Sequence, residues 1–121
     1  MSTIRAFTTI EQNRKLADIL PLESADMWYD NDGESIAGRP EVRCGSFVGL
    51  ASINIPCWSL AALLSVLPFP VLYMEMVAGM MLWCCECHLI ETDEVVKIEH
   101  YDNPVDACYE MILKLHELKM L

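Results

Sequence analysis

The sequence predicts an α+β fold, in which an antiparallel sheet carries about three helices packed on one face. Two patterns support this prediction. Three apolar runs follow one another with short connections, residues 71–77, 80–91 and 95–101, which is typical of an antiparallel meander. The last residues then show the spacing of an amphipathic helix. Because 121 residues is the usual size of one domain, we expect a single compact domain over residues 1–121.

A first helix is indicated near the N-terminus. Thr9 and Gln12 have the spacing of a capping box, in which Thr9 is the N-cap and the Gln12 side chain bonds back to it. We expect this helix to end near Leu20, because Pro21 follows.

The segment after this helix predicts short strands. Residues 25–29 form one strand, and the sequence Asp-Asn-Asp-Gly at 30–33 is typical of a turn. The return arm over residues 35–42 is broken by Gly38 and Pro40, so we expect an edge strand or a loop there. Residues 42–48 are a candidate for a further short strand.

Residues 56–67 are predicted to form a helix on which the other elements pack. One face of this helix is made of leucines at helical spacing, Leu60, Leu63, Leu64 and Leu67. Ser59 precedes that face, where its hydroxyl can accept a hydrogen bond from a backbone N–H of the first turn. Pro68 ends the element, and no charged residue lies on its other face, so we expect burial on all sides.

Residues 80–91 are predicted to form the central strand of the meander, because both of its faces are largely apolar. Alternation places Trp83, Cys85, Cys87 and Leu89 on one face. The other face then carries Leu82, Cys84, Glu86, His88 and Ile90.

The C-terminal helix has the clearest signals in the chain. Asn103 is the predicted N-cap, Pro104 stands at the first helical position, and Asp106 lies in the first turn, where a negative charge suits the helix dipole. The apolar stripe consists of Val105, Cys108, Ile112 and Leu115, widened by Met111 and Leu118.

The charge distribution bears on possible partners. The net charge is −10, and no Lys or Arg lies between Arg43 and Lys97. Proteins that follow a phosphate backbone need clustered Lys or Arg, so we expect no direct binding to nucleic acid. Attachment to an anionic membrane surface is disfavoured for the same reason.

The uncharged stretch from Cys44 to Met74 does not predict a membrane span. Pro56 and Pro68 enclose only 11 residues, whereas a spanning helix needs about 20. The N-terminus lacks the apolar core of a secretory signal. We therefore expect a cytoplasmic protein whose six cysteines are reduced thiols.

The densest group of potential metal ligands is Cys84, Cys85, Cys87 and His88. A structural zinc site needs four Cys or His ligands that converge. On a strand, Cys85 and Cys87 point to one face and Cys84 and His88 to the other, so a site would need further ligands. Those ligands would come from elsewhere in the chain, from Cys44, Cys57, Cys108 or His100. The competing interpretation, which we favour, is that these cysteines are small buried hydrophobic residues.

Other catalytic and binding patterns are weaker. Cys57 lies near a helix N-terminus, which can lower a thiol pKa, but its apolar neighbours favour burial. His116 lies in the last turns of the C-terminal helix, where an imidazolium suits the helix dipole. Asp26 and the acidic residues up to Glu34 do not have EF-hand spacing, since Trp28 and Arg39 would occupy ligand positions. The sequence points to no cofactor and to no catalytic residue.

Two segments carry a resemblance to a known group of proteins. They are Trp-Ser-Leu-Ala-Ala-Leu-Leu at 58–64 and Asn-Pro-Val-Asp-Ala-Cys-Tyr-Glu-Met-Ile-Leu-Lys-Leu-His-Glu-Leu at 103–118. Through them, about a quarter of the chain resembles small proteins encoded in prophages and mobile elements of gut Bacteroidales. The resemblance implies a phage or mobile-element accessory protein, and it implies no activity, ligand or catalytic residue.

Two functions remain open from the sequence. The first is a non-catalytic interaction protein, which acts on a protein partner or as a homodimer through apolar residues. Those residues are Met27, Trp28, Tyr29, Met80, Met81 and Trp83. The second is a small zinc or thiol protein that uses Cys84, Cys85, Cys87 and His88.

Overall fold

The fold is α+β, as predicted from the sequence. The computed structural model describes residues 5–29, 42–44 and 55–121. The helices are α1 Ile10–Ala17, α2 Leu60–Val66 and α3 Pro104–Glu117, with a 3₁₀ turn at Leu22–Ser24. The strands are β1 Met27–Tyr29, β2 Val42–Cys44, β3 Ile55–Cys57, β4 Pro70–Val77, β5 Met80–Leu89 and β6 Glu94–Tyr101.

Contacts divide the chain into two compact units. The N-terminal unit is Phe7–Ala62, and the sheet unit is Met1–Ala6 together with Leu63–Leu121. The chain passes from one unit to the other within α2. The expectation of a single domain stays a prediction, because this division describes contact density and not independent folding.

The N-terminal unit contains a three-stranded antiparallel sheet in the order β2-β1-β3, with α1 against β3. The predicted capping box of α1 is confirmed, with reciprocal hydrogen bonds between Thr9 and Gln12. The helix ends at Ala17, not near Leu20 as expected. The reason is that the N–H groups of Asp18 and Ile19 bond back three residues, which tightens the last turn.

The predicted strands of this region are partly confirmed. The first is β1, which is shorter than the predicted range 25–29, and β2 lies at the start of the predicted range 42–48. The predicted turn at 30–33, most of the return arm at 35–42, and residues 45–48 lie outside the described residues.

The predicted helix over residues 56–67 is wrong at its start. Pro56 and Cys57 belong to β3, and Pro56 pairs with Trp28 of β1. Because β3 lies at the edge of its sheet, the missing N–H of Pro56 is tolerated there. The predicted Ser59 cap is confirmed, since its hydroxyl accepts a hydrogen bond from the N–H of Ala62 at 3.1 Å.

Helix α2 is also not buried on all sides. Leu63 is fully buried, whereas Ala61 and Ser65 are exposed. The short helix therefore shows one apolar face, in the usual way. In the sheet unit the most extensive packing involves β5, which contacts β4, β6 and α3.

The predicted meander is confirmed in the sheet unit. Its strands are antiparallel in the order β4-β5-β6, so β5 is central as expected. A two-residue connection of Ala78 and Gly79 joins β4 to β5, and both residues have positive φ angles, 50° and 81°. This conformation matches the twist of the two strands and sets their register.

Helix α3 begins as the sequence predicts. The Asn103 side chain accepts from the N–H of Val105 at 2.9 Å, and Pro104 occupies the first turn. The helix packs on β5 and β6 through its buried stripe, Val105, Ala107, Cys108, Met111, Ile112 and Leu115. Leu118, predicted to widen this stripe, is exposed instead because it lies just beyond the helix end.

The length and apolar character of the helices bear on whether one of them could cross a membrane. None of the helices in the described parts of the chain has both the length and the apolar character that a bilayer crossing requires.

Thr8 connects the elements of the N-terminal unit by hydrogen bonds. Its fully buried hydroxyl accepts from the backbone N–H of Trp58 at 3.1 Å and donates to the side-chain oxygen of Asn13. Its carbonyl accepts from the hydroxyl of Tyr29 at 3.1 Å. One residue before α1 therefore supplies buried hydrogen-bond partners to α1, to β1 and to the chain after β3.

We expect Thr8→Val to lower the free energy of unfolding by about 1–3 kcal/mol, because the N–H of Trp58 and the oxygen of Asn13 lose a buried partner. Urea unfolding followed by circular dichroism measures the change. Thr8→Ser is the matched control, since it keeps the hydroxyl and loses only a methyl group. A valine variant as stable as the serine variant would contradict this role of the hydroxyl.

Candidate functional site

The alternation of β5 separates the four cysteine and histidine residues singled out in the sequence. Cys85 contacts Cys108 of α3, so Cys85 and Cys87 lie on the face of the sheet that α3 covers, the helix face. Cys84 and His88 lie on the opposite face, which we call the polar face. The four candidate ligands therefore do not converge. The Nε2 atom of His88 instead lies 2.9 Å from the carboxylate of Asp93.

The helix face contains a cluster of three thiols, Cys85, Cys87 and Cys108. All three are fully buried. Hydrogen bonds from Cys108 and Cys87 lower the pKa of Cys85, and the same bonds together with burial raise the pKa of Cys87 and Cys108. With no solvent access, this cluster serves as part of the core beneath α3, consistent with the favoured interpretation of the cysteines.

Cys57 is also a buried thiol. It lies in β3 of the N-terminal unit and is fully buried, with Thr8 within hydrogen-bonding distance. Burial raises the pKa of Cys57, which disfavours the reactive thiolate.

The polar face brings together a different set of potential ligands, Glu75 of β4, Cys84 of β5 and His100 of β6. The Cys84 thiol donates to a Glu75 carboxylate oxygen at 3.3 Å, and the Nε2 atom of His100 lies 3.5 Å from that same oxygen. In the described part of the chain, this is the one group of three His, Cys, Asp or Glu side chains with ligand atoms all within 4.8 Å of one another. Its donors differ in chemistry: a thiol, a carboxylate and an imidazole.

The electrostatics of this cluster depend on burial and on its neighbours. The hydrogen bond from Cys84 lowers the pKa of Glu75, and the charge of Lys97 acts in the same direction. Burial raises the pKa of Cys84, and the nearby carboxylates of Glu75 and Glu99 add to that effect. The carboxylate is thus held ionised beside a protonated thiol.

An irregularity in the sheet positions His100. Trp83 pairs with Tyr101 and Cys85 with Ile98, so both Glu99 and His100 stand opposite the single residue Cys84. His100 has a φ of 69°, a left-handed conformation that is rare for residues other than glycine. A bulge of this kind re-aims side chains, and here it leaves His100 beside Cys84.

A polar network continues the polar face next to the cluster. The Tyr73 hydroxyl donates to Glu86 at 3.0 Å, and the Lys97 ammonium lies 3.3 Å from Glu99 and 3.8 Å from Glu86. Lys97 also lies over the Tyr73 ring, 5.8 Å from its centre. Hydrogen bonding to Tyr73 raises the pKa of Lys97. The network places one cation between the carboxylates of Glu86 and Glu99, which limits their mutual repulsion.

The remaining histidine and acidic candidates have local partners. The Nδ1 atom of His116 lies 3.2 Å from the carbonyl oxygen of Leu121. Asp26 accepts from both the N–H and the hydroxyl of Ser59. The other acidic residues of the excluded EF-hand pattern, at positions 30–34, lie outside the described residues.

A groove of about 300 Å³ lies near the β5–β6 connection of the sheet unit. Its walls are mainly apolar and include the exposed side chains of Phe69, Ile90 and Met120. The polar residues that line it are few, namely His88, Glu91 and Thr92, so the groove does not define a ligand by its chemistry.

Sequence analysis identified Cys84 and named His100 as a distant ligand, but it did not identify Glu75. The signal for Glu75 was the tight connection at Ala78 and Gly79, which places Glu75 opposite Leu82. Leu82 is two residues before Cys84 in β5, so Glu75 shares the face of Cys84 and lies diagonal to it. The bulge that brings in His100 gives no comparable sequence signal.

The chain matches no protein-family model, no curated protein and no solved structure in comparisons with known proteins.

We expect the five cysteines other than Cys44 to react slowly with the thiol reagent DTNB in the folded Cys44→Ser variant. All five are fully buried, so reaction waits for an opening of the structure, and the rate should fall at least about a hundredfold below that of glutathione. Absorbance of the released product measures the rate, and guanidinium should then expose all five thiols. A native thiol that reacts as fast as glutathione would contradict this burial.

Proposed function

We propose that this is a non-catalytic protein that acts through protein–protein contacts, and that its contact surface is the β4–β5 hairpin. The observation that carries the proposal is a group of exposed methionines at the end of this hairpin, the methionine surface. It consists of Met74, Met76, Met80 and Met81, and Met76 is 70% exposed. Exposed apolar groups of this size stabilise a complex when a partner removes them from water, by about 25 cal/mol per Å².

The methionine surface includes both faces of the hairpin end. Met76 pairs directly with Met81 across the two strands, so alternation places these two side chains and Met74 on one face. Met80 pairs with Val77 at the turn and lies on the opposite face. Methionine side chains are unbranched and flexible, so they adapt to the shape of a partner. Of the apolar residues expected to form a contact surface, Met80 and Met81 are exposed as required, whereas Tyr29 is buried.

Strand β4 adds a backbone component to this surface. It lies at the edge of its sheet, and within the described residues it has a strand partner only on the side of β5. An edge strand presents unpaired N–H and C=O groups that a further strand can use. A second copy of β4 would pair with it about a two-fold axis, in the symmetric arrangement most common among oligomers.

Charge favours a second copy of this chain as the partner. The chain carries a net charge of −10, yet residues 70–85 include one charged residue, Glu75. Two acidic chains that associate through this hairpin therefore keep most of their like charges away from the interface. The resemblance to prophage and mobile-element proteins supplies a context for the proposal, that of an accessory protein.

We expect the protein to sediment as a dimer, and we expect Met76→Glu combined with Met81→Glu to shift it to monomer. The glutamates introduced in one copy would lie close to those of the second copy. Association would bring these like charges together and remove water from them, which disfavours the dimer. Val95→Glu is the matched control, because Val95 is 60% exposed on β6, away from the hairpin. Sedimentation velocity over a concentration series measures the mass, and circular dichroism checks that each variant is folded.

The alternatives give different results in the same experiment. A wild-type protein that stays monomeric at all concentrations would overturn the homodimer. A dimer that Val95→Glu disrupts and the methionine variant does not would overturn the choice of surface.

A further inference from the structure

We propose that Glu75, Cys84 and His100 form a binding site for a divalent transition-metal ion of the zinc class. The site uses the polar face of the sheet, and it does not include Cys85, Cys87 or His88. Three adjacent strands each contribute one ligand, so the positions of the ligands are set by the backbone ladder.

Two of the three separations between the donor atoms match those around a tetrahedral ion. Zinc bonds of about 2.0–2.3 Å at tetrahedral angles place neighbouring donors roughly 3.3–3.8 Å apart. In the structure, the Glu75 oxygen lies 3.3 Å from the Cys84 sulfur and 3.5 Å from the His100 nitrogen. All three donor atoms lie within 4.8 Å of one another, so only a small movement of the third pair is needed to surround an ion.

The donor set selects the class of metal. A thiolate and an imidazole are ligands of zinc and of similar borderline ions, and a carboxylate completes such sites. Calcium and magnesium prefer oxygen donors throughout, so this set does not suit them. On binding, the Cys84 thiol loses its proton to solvent and the thiolate sulfur forms the metal bond; no electron transfer is involved.

The solvent exposure of the three ligands is compatible with a metal site that has three protein ligands and one open coordination position. Cys84 is fully buried, whereas the side chains of Glu75 and His100 are 41% and 38% exposed. An ion can therefore approach from solvent, and water can fill the fourth position, as it does in open zinc sites. Glu99 stands beside the imidazole, with a carboxylate oxygen 3.6 Å from the His100 nitrogen.

The bulge in β6 is the device that completes the ligand set. In a regular ladder only one residue of β6 would stand opposite Cys84, and here two do. The left-handed conformation of His100, with a φ of 69°, costs free energy in a non-glycine residue. The surrounding ladder stabilises this conformation, and as a result β6 contributes the side chain of His100 to the cluster.

Zinc titration of the full chain, freed of metal and kept reduced, tests the proposal. We expect one zinc ion per chain by competition with a chromophoric chelator. Cobalt should give the near-ultraviolet charge-transfer band of a cysteine thiolate ligand. Cys84→Ser and Glu75→Gln should each lower the affinity for zinc at least about tenfold. Even the loss of a group that only hydrogen-bonds to a metal ligand lowers metal affinity by about ten- to a hundredfold.

The control variants separate this site from other arrangements. His100→Asn removes the imidazole, so it should lower the affinity for zinc. Asparagine tolerates the left-handed conformation, so this variant should remain folded. His88→Asn and Cys87→Ala should bind zinc as the wild type does. Glu75 lies at a partly exposed position, so Glu75→Gln tests the site even if Cys84→Ser does not fold.

Three results would overturn the proposal. They are no stoichiometric zinc, a cobalt complex without the thiolate band, or zinc affinity that depends on His88 or Cys87 and not on His100. Sedimentation of the same samples measures self-association independently of zinc binding. A monomer that binds zinc would therefore contradict the proposed dimer but support the proposed metal site.

Discussion

The sheet unit depends on the two-residue periodicity of its central strand. Because β5 is hydrogen-bonded to strands on both edges, its backbone stays extended and its side chains alternate between the two faces of the sheet. Cys85 and Cys87 are thereby directed beneath α3, where they pack as small apolar groups against Cys108. Cys84, one residue away, is directed to the other face and meets charged neighbours. Adjacent cysteines therefore have opposite surroundings.

The polar face shows how a local irregularity changes the chemistry of a regular sheet. A ladder in perfect register would offer Cys84 a single neighbour on β6. The extra residue in β6 places both Glu99 and His100 there, and the tight connection before β5 places Glu75 on the other side. Donors from three strands then meet around one buried sulfur. The result is a cluster in which each side chain is held by a different part of the ladder.

The methionine surface and the cluster of Glu75, Cys84 and His100 have opposite character, although both include residues of β4. The methionine surface lies at the end of the β4–β5 hairpin, where charge is almost absent. The polar network around Lys97 lies further along the sheet, where carboxylates gather. The proposed apolar contact and the proposed metal site thus draw on side chains of different chemistry in the same strands. Glu75 belongs both to the edge strand and to the cluster, since it lies between Met74 and Met76 in β4.

The sequence by itself determined the features that depend on neighbouring residues. The caps at Thr9 and Asn103, the meander and the two faces of β5 follow from spacing over a few positions, and all are found in the structure. Tertiary structure decided the rest, because a distant partner made the choice. Pro56 is in a strand since it pairs with Trp28, and His100 joins Cys84 since the ladder is interrupted between them. Local pattern can specify an element, but register between strands is a long-range property, and the ligand cluster depends on register.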